Sequence, residues 1–340
     1  MVCRLFGSFK SFISNESYQS MTIEVLRDID PALFRDKSVV AALGNFDGVH
    51  LGHQALFERL LALQKRHAES SELSVKSMVV SFFPPPTVVL NKEARLAQLM
   101  TVRQKVMLLD DLGVDYLCLL RFNRNLAEIS AERFVTDVLI GQLNIAALVL
   151  GEDAGVGNRR EGDAEFIASA FKRGGRVVDI APLLEVNGEK VSSRRIRSCL
   201  EMGDIRQVNQ FLGRPFTLTG RVARDARRGA SLGFPTANIY PFGQLLPRYG
   251  VYATLTRLND EVLPSVTNVG MRPTFTAVRP AVETHLLDFD TSEFYGQRID
   301  VEFYRHLRDE RKFLNKQGLV AQIEQDILKA REVLSSSKLP

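Results

Sequence analysis

Hydrophobic positions follow two rhythms along this chain, and the change falls near residue 214. Before it, short continuous apolar runs alternate with stretches of helical spacing. Ser38–Leu43, Val75–Phe83, Tyr116–Leu120, Ala146–Leu150 and Arg176–Ile180 read as buried strands. Gln54–His67 repeats Leu56, Leu60 and Leu63, and Thr101–Leu112 repeats Val102, Val106 and Leu109, so both predict helices. Ala131–Leu143 predicts a third, with Ser130 placed to cap it. Strands alternating with helices predict an α/β, doubly wound parallel sheet, in which ligands sit beyond the carboxyl ends of the strands. From Phe216 onward the segments are short, alternating and separated by turn residues: Phe216–Val222, Gly250–Leu255, Pro264–Val269, Val282–Asp288 and Ile299–Tyr304. That grammar predicts an antiparallel β-barrel, closed by an amphipathic terminal helix over Lys316–Leu334. The expected organisation is a dispensable extension over 1–20, an α/β domain over 21–213 and a barrel domain over 214–340.

Four stretches add chemistry to these elements. Gly44–His53 reads GNFDGVHLGH between the first strand and the first helix. A helix N-terminus presents unpaired N–H groups and the positive end of its dipole, and so suits an anion. Gly48 and Gly52 remove side chains where a phosphate would approach. His50 and His53, two of the chain's five histidines, lie three apart and can share one side of the first turn. Both could donate to phosphate oxygens, and an anion there favours their protonated forms; the plainer reading is a pair of solvent-facing histidines. Gly151–Gly162 is a glycine-rich loop after another strand. In Val191–Asp204, VSSRRIRSCLEMGD, Ser192 or Ser193 can cap a helix whose first turns carry Arg194, Arg195 and Arg197. Cations oppose the dipole there, so a bound polyphosphate explains them better than local stability does. In Gly229–Ile239, GASLGFPTANI, Thr236 and Asn238 alternate onto one face of an extended segment. Two neutral oxygen ligands suit a magnesium ion that keeps waters and nucleotide phosphates.

Composition narrows the partners. The chain is 45% hydrophobic and 25% charged, with a formal net charge of +4, ordinary for a soluble globular protein and suited to small anions. It carries no recognisable nucleic-acid module. Cys3, Cys118 and Cys199 have no metal-ligand spacing and predict a reducing, cytoplasmic setting. No apolar run reaches the length of a membrane span. In residues 1–20, Lys10, Asn15 and Glu16 interrupt what would have to be a signal peptide's apolar core.

In this order the motifs resemble those of the bacterial bifunctional FAD synthetases, which join riboflavin kinase to FMN adenylyltransferase. GNFDGVHLGH is similar to the signature of the HxGH nucleotidyltransferases, and SSRRIR to that family's second nucleotide motif. FNRNLAEISAERFV, Phe122–Val135, resembles the segment before the family's flavin loop. The next loop keeps Gly151, Glu152, Asp153, Gly157, Arg160, Gly162 and Asp163 but departs at Ala154, Gly155 and Val156, where bulkier residues are usual. PTAN at Pro235–Asn238, NVGMRPTF at Asn268–Phe275 and VETHLLDFD at Val282–Asp290 resemble riboflavin kinases. The loop before PTAN departs at Arg224, Asp225 and Ala230.

The resemblance implies two ATP-dependent steps, riboflavin to FMN and FMN to FAD, with small-molecule partners only. It implies Glu283 as the base of the kinase, magnesium on Thr236 and Asn238, and ATP held by Gly229, Gly233 and Pro235. For adenylyl transfer it implies His50, His53 and Arg197 as charge stabilisers. Gly44, Asn45, Phe46, Asp47, Gly48, Gly52, Asp153, Ser192 and Ser193 would bind nucleotide or flavin there. Two rivals are a chain with one working module and a non-catalytic nucleotide- or RNA-binding protein. Oligomeric state is not written in the sequence.

Overall fold

A computed structural model describes residues 21–91, 97–223, 234–259, 261–273, 278–289 and 296–335. The extension over 1–20 lies outside these, as do Gly229, Gly233 and the departures at Arg224, Asp225 and Ala230. The described residues form two compact units, one lying within 21–184 apart from 97–101, the other made of 97–101 with the described residues from Glu185 on.

The first unit runs β1 (Glu24–Leu26), β2 (Lys37–Leu43), α1 (Leu51–Ala68), β3 (Ser74–Phe83), α2 (Pro86–Leu90), α3 (Val102–Asp111), β4 (Tyr116–Arg121), α4 (Arg124–Glu128) and α5 (Ala131–Arg133). It continues through β5 (Ile145–Gly151), β6 (Gly155–Val156), β7 (Gly162–Asp163), α6 (Ala164–Arg173) and β8 (Val177–Ala181). The main sheet is parallel throughout, in the order β1-β4-β3-β2-β5-β8. The order reverses at β2, which has β3 on one side and β5 on the other. The crevice of such a sheet opens at this switch point, where the Gly44 turn and the Gly151 loop both leave.

Along β2, Val39, Ala41 and Leu43 join one core with Met78, Val80, Leu148 and Leu150. α1 packs on β2, β3 and β5 with Phe57, Leu60 and Leu63 buried. The helix expected over Ala131–Leu143 starts on its predicted cap, Ser130, which accepts from Arg133 N at 3.3 Å. It then widens into a π-helix over Phe134–Gln142. The wider turn brings Phe134, Val135, Leu139 and Leu143 into the same core.

The second unit runs β9 (Glu185–Val186), β10 (Glu189–Lys190), α7 (Ser193–Met202), α8 (Ile205–Leu212), β11 (Phe216–Ala223), β12 (Ala237–Pro241) and β13 (Gly250–Leu258). It ends with β14 (Glu261–Pro273), β15 (Val278–Leu286), β16 (Arg298–Arg308) and α9 (Lys316–Ser335). Six strands close an antiparallel barrel in the order β11-β12-β15-β14-β13-β16. Thr254, Thr256, Ser265, Thr267 and Thr284 are fully buried and bond to one another, Oγ to Oγ, at 2.7–2.8 Å, so no hydroxyl in that row lacks a partner. α9 covers the outside of β13, β14 and β16, burying Ala330 against Val251, Ala253 and Val266. α8 is stitched to the barrel by Asn209, which donates to Phe303 O and accepts from Phe216 N, both at 2.8 Å.

Candidate functional sites on the sheet edge and the barrel wall

The Gly44–His50 turn is shaped by backbone torsion. Phe46 and Val49 both have positive φ, 48° and 41°, with Gly48 between them at 87°. Two non-glycine residues in that region are held there by their surroundings. Phe46 is buried, its ring edge-on to His53 at 5.2 Å and tilted against Phe57 at 4.9 Å. Gly44 N–H donates to Val80 O at 3.1 Å, tying the turn to β3.

His50 is the N-cap of α1: its Nδ1 accepts from His53 N at 3.3 Å. It is 6% exposed, which removes the solvent-facing alternative. The two imidazoles stack, with centroids 3.6 Å apart and planes 19° from parallel. With Nδ1 accepting the cap bond, Nε2 is the ring nitrogen that can donate. Gly52 also has a nearer reason than phosphate clearance, because a Cβ there would lie 3.2 Å from His50 Nδ1.

Beneath the turn lies a residue that motif reading missed. Lys105 on α3 is 6% exposed and donates to Asn45 O at 2.8 Å and to Ser81 Oγ at 3.3 Å. Burial lowers its pKa to about 8, against the raising effect of the Asp47 charge. The signal was present in the sequence: Lys105 occupies the apolar stripe formed by Val102, Val106 and Leu109.

The Gly151 loop folds back as a β6–β7 hairpin. Arg160 Nη2 donates to Asp153 O at 2.6 Å, and Asp163 caps α6 through Phe166 N at 2.8 Å. The departures have places in the packing, since Val156 is buried and Ala154 packs on the core. A Cβ on Gly155 would meet Arg160 Nε at 3.0 Å.

In the second unit Ser192, not Ser193, caps α7, accepting from Arg195 N at 3.2 Å. Arg195 pairs with Glu189 at 2.8 Å and bonds Gln207 at 3.2 Å. Its charge is therefore answered within the protein, and no polyphosphate is needed to explain it. Arg194 is exposed, and Arg197 is half-buried. Glu189, Lys190, Ser192, Arg194, Arg195 and Ser198 line a cavity of about 420 Å³ at this helix start.

On the barrel, two distant motifs become neighbours. β12 and β15 pair so that Asn238 lies opposite Glu283, and β14 places Asn268 opposite Glu283 on its other side. The row Asn238, Glu283, Asn268 shares one face of the wall, while Ala237, Thr284 and Thr267 are buried on the other. Asn238 is 8% exposed, and Thr236 stands just before β12. His285 Nδ1 donates to Pro235 O at 2.8 Å and meets the Phe234 ring edge-on at 5.6 Å. This contact ties the PTAN entry to β15, and nothing in the spacing of the motifs foretold it. Among the described residues no group of His, Cys, Asp or Glu forms an all-protein metal cage.

Two families match the chain, one in each half. The FAD synthetase family matches residues 34–195, and the riboflavin kinase family matches residues 212–334. The bifunctional riboflavin kinase/FMN adenylyltransferase of Escherichia coli K12 is 35% identical over 300 residues, covering 88% of this chain and 94% of that protein. The protein of the same name from Bacillus subtilis 168 is 35% identical over 292 residues, covering 84% and 90%. A Streptococcus pneumoniae crystal structure described as a macrolide-efflux protein superposes with a TM-score of 0.80 at 26% identity, covering 92% of this chain and 99% of that one. Among the described residues of this chain, no helix is long and apolar enough to cross a membrane. The chain belongs to the bacterial bifunctional riboflavin kinase/FMN adenylyltransferase family.

Proposed function

We propose that this chain makes FAD from riboflavin in two ATP-dependent steps, with the barrel wall serving the first and the Gly44 turn the second. The observation that supports the first assignment is the cross-strand row Asn238, Glu283, Asn268. Glu283 would take the proton from the riboflavin 5′-hydroxyl as its oxygen attacks the γ-phosphorus of ATP and ADP leaves. Thr236 and Asn238 offer neutral oxygens that fit magnesium, and a bound ion would neutralise phosphate charge at this wall. Pro235, held by His285, would fix where that oxygen pair begins. Gly229 and Gly233 keep the ATP-binding role their motif gives them, on sequence alone.

In the second step an oxygen of the FMN phosphate attacks the α-phosphorus of ATP, and pyrophosphate leaves. That nucleophile is already anionic, so no general base is required. His50, as an Nε2–H donor, and His53 stacked on it would stabilise charge on the phosphates. Gly44, Asn45, Phe46, Asp47, Gly48 and Gly52 form the turn that aims them, and Asp153 belongs to the flavin loop. Ser192, Ser193 and Arg197 keep their ATP-phosphate assignment by motif. On this reading residues 21–213 carry adenylyl transfer and 214–340 carry the kinase, although α7 and α8 fold with the barrel. A cytoplasmic setting fits Cys118 and Cys199, both free and buried.

The test incubates the protein with riboflavin, ATP and magnesium and resolves FMN from FAD. Glu283→Gln should lower riboflavin phosphorylation by about 10²–10⁴-fold, the usual worth of general-base assistance. FAD formation from supplied FMN should be unchanged. A Glu283→Gln enzyme phosphorylating at the parent rate would remove the assignment.

A further inference from the structure

We propose that Lys105 is a positioning residue of adenylyl transfer, holding the Gly44–His50 turn in its active shape. The inference rests on the reading of that turn as the adenylyl site. Asn45 O accepts twice, from Lys105 Nζ at 2.8 Å and from Ser81 Oγ at 3.0 Å, and Lys105 also reaches Ser81 Oγ. These bonds fix the peptide plane directly before Phe46, the residue held at positive φ. Phe46 in turn sets the edge against which His53 stands, and His53 stacks on His50. A run of contacts therefore leads from a buried amine to both imidazoles without the amine touching substrate.

The position is an expensive one for a lysine. Lys105 shares its helix face with buried Val106 and Leu109, where an apolar side chain would cost far less than an ammonium group. The burial that lowers its pKa expresses the same cost, and Asp47 on the turn offsets part of it. Fold stability alone does not account for a cation here, whereas alignment of the turn does. Displacing a catalytic group by about 1 Å can cost on the order of 10²-fold in rate.

The experiment uses the full chain and the variants Lys105→Met, Ser81→Ala and His53→Ala. Each is assayed for FAD formation from FMN and ATP, for riboflavin phosphorylation, and for thermal unfolding. Lys105→Met should lower kcat for FMN adenylylation about 10–100-fold. KM for ATP, riboflavin phosphorylation and melting temperature should be held, or melting raised. Ser81→Ala removes one of the two bonds to Asn45 O and should show a smaller kcat loss at an unchanged melting temperature; it carries the test if Lys105→Met does not fold. With His53→Ala inactive in adenylylation, unchanged kcat in both variants, or kcat and melting temperature falling together, overturns the role of Lys105. A fully active His53→Ala enzyme instead overturns the site reading and this inference with it.

Discussion

His50 closes the first turn of α1 with one ring nitrogen, so on the proposed reading a single side chain would serve stability and chemistry together. The two can be separated. His50→Ala should lose the cap, at about 0.5–2 kcal/mol, as well as the donor. His50→Asn keeps a capping oxygen but lacks the ring, so it should restore melting temperature while FMN adenylylation stays at least about tenfold down. Recovery of both in His50→Asn would show that the cap was the ring's only contribution.

Lys105 permits a second separation, by pH. Below about pH 8 its amine is charged whether the chain is folded or not, and the full cost of burying that charge is present. Between about 8 and the ordinary 10.5 the folded chain gives up the proton while the unfolded chain keeps it. The cost is relieved there, and stability rises with pH. Lys105→Met lacks the titration, so its stability advantage over the parent should shrink across that window by up to about 3 kcal/mol, at about 1.4 kcal/mol per pH unit. An advantage that stays constant from pH 7 to pH 10.5 would contradict a buried titrating amine.

At the scale of elements, the strands and long helices were legible because burial imposes a period. β2, β3, β4, β5 and α1 lie within a few residues of where the apolar runs predict them. β1 was not legible, since three residues, Glu24–Leu26, carry no period, and only their pairing with Tyr116–Cys118 makes them a strand. The π-helix was hidden as well, because its widening answers to where Phe134 and Leu139 must pack rather than to local propensity. In the site, Gly44–His53 was legible as a whole, but the reasons for its parts were not, since Gly52 answers to the His50 ring. The Gly151 loop shows the same hidden logic. A Cβ on Gly157 would lie 2.3 Å from Ala131 N, and its φ of 78° disfavours any side chain. Gly157→Ala should destabilise the first unit by more than about 2 kcal/mol and depress FMN adenylylation, with riboflavin phosphorylation retained. Parent-like melting of that unit, followed by calorimetry, would mean that the loop does not pack on α5 as described.

At the scale of the whole molecule, the chain divides into two compact units, so damage placed in one core should be read out separately from the other. In the second unit Asp326 on α9 is 2% exposed and accepts from Arg308 Nε at 3.1 Å, from Arg308 Nη2 at 2.8 Å and from Gln322 Nε2 at 2.8 Å. These bonds fasten the terminal helix across β16, beside the apolar contact of Ala330 with Val251 and Ala253. Asp326→Ala would leave the Arg308 guanidinium, only 18% exposed, facing a gap. Breaking a buried pair in this way typically costs about 3–5 kcal/mol. That cost falls on the barrel, whose wall carries Asn238 and Glu283, and not on the parallel sheet. Calorimetry of Asp326→Ala should therefore show one transition moved down and the other unmoved, with riboflavin phosphorylation lost at a lower temperature than in the parent. If both transitions moved down together, the units would unfold as one, and two independently stable halves would be the wrong description of this chain.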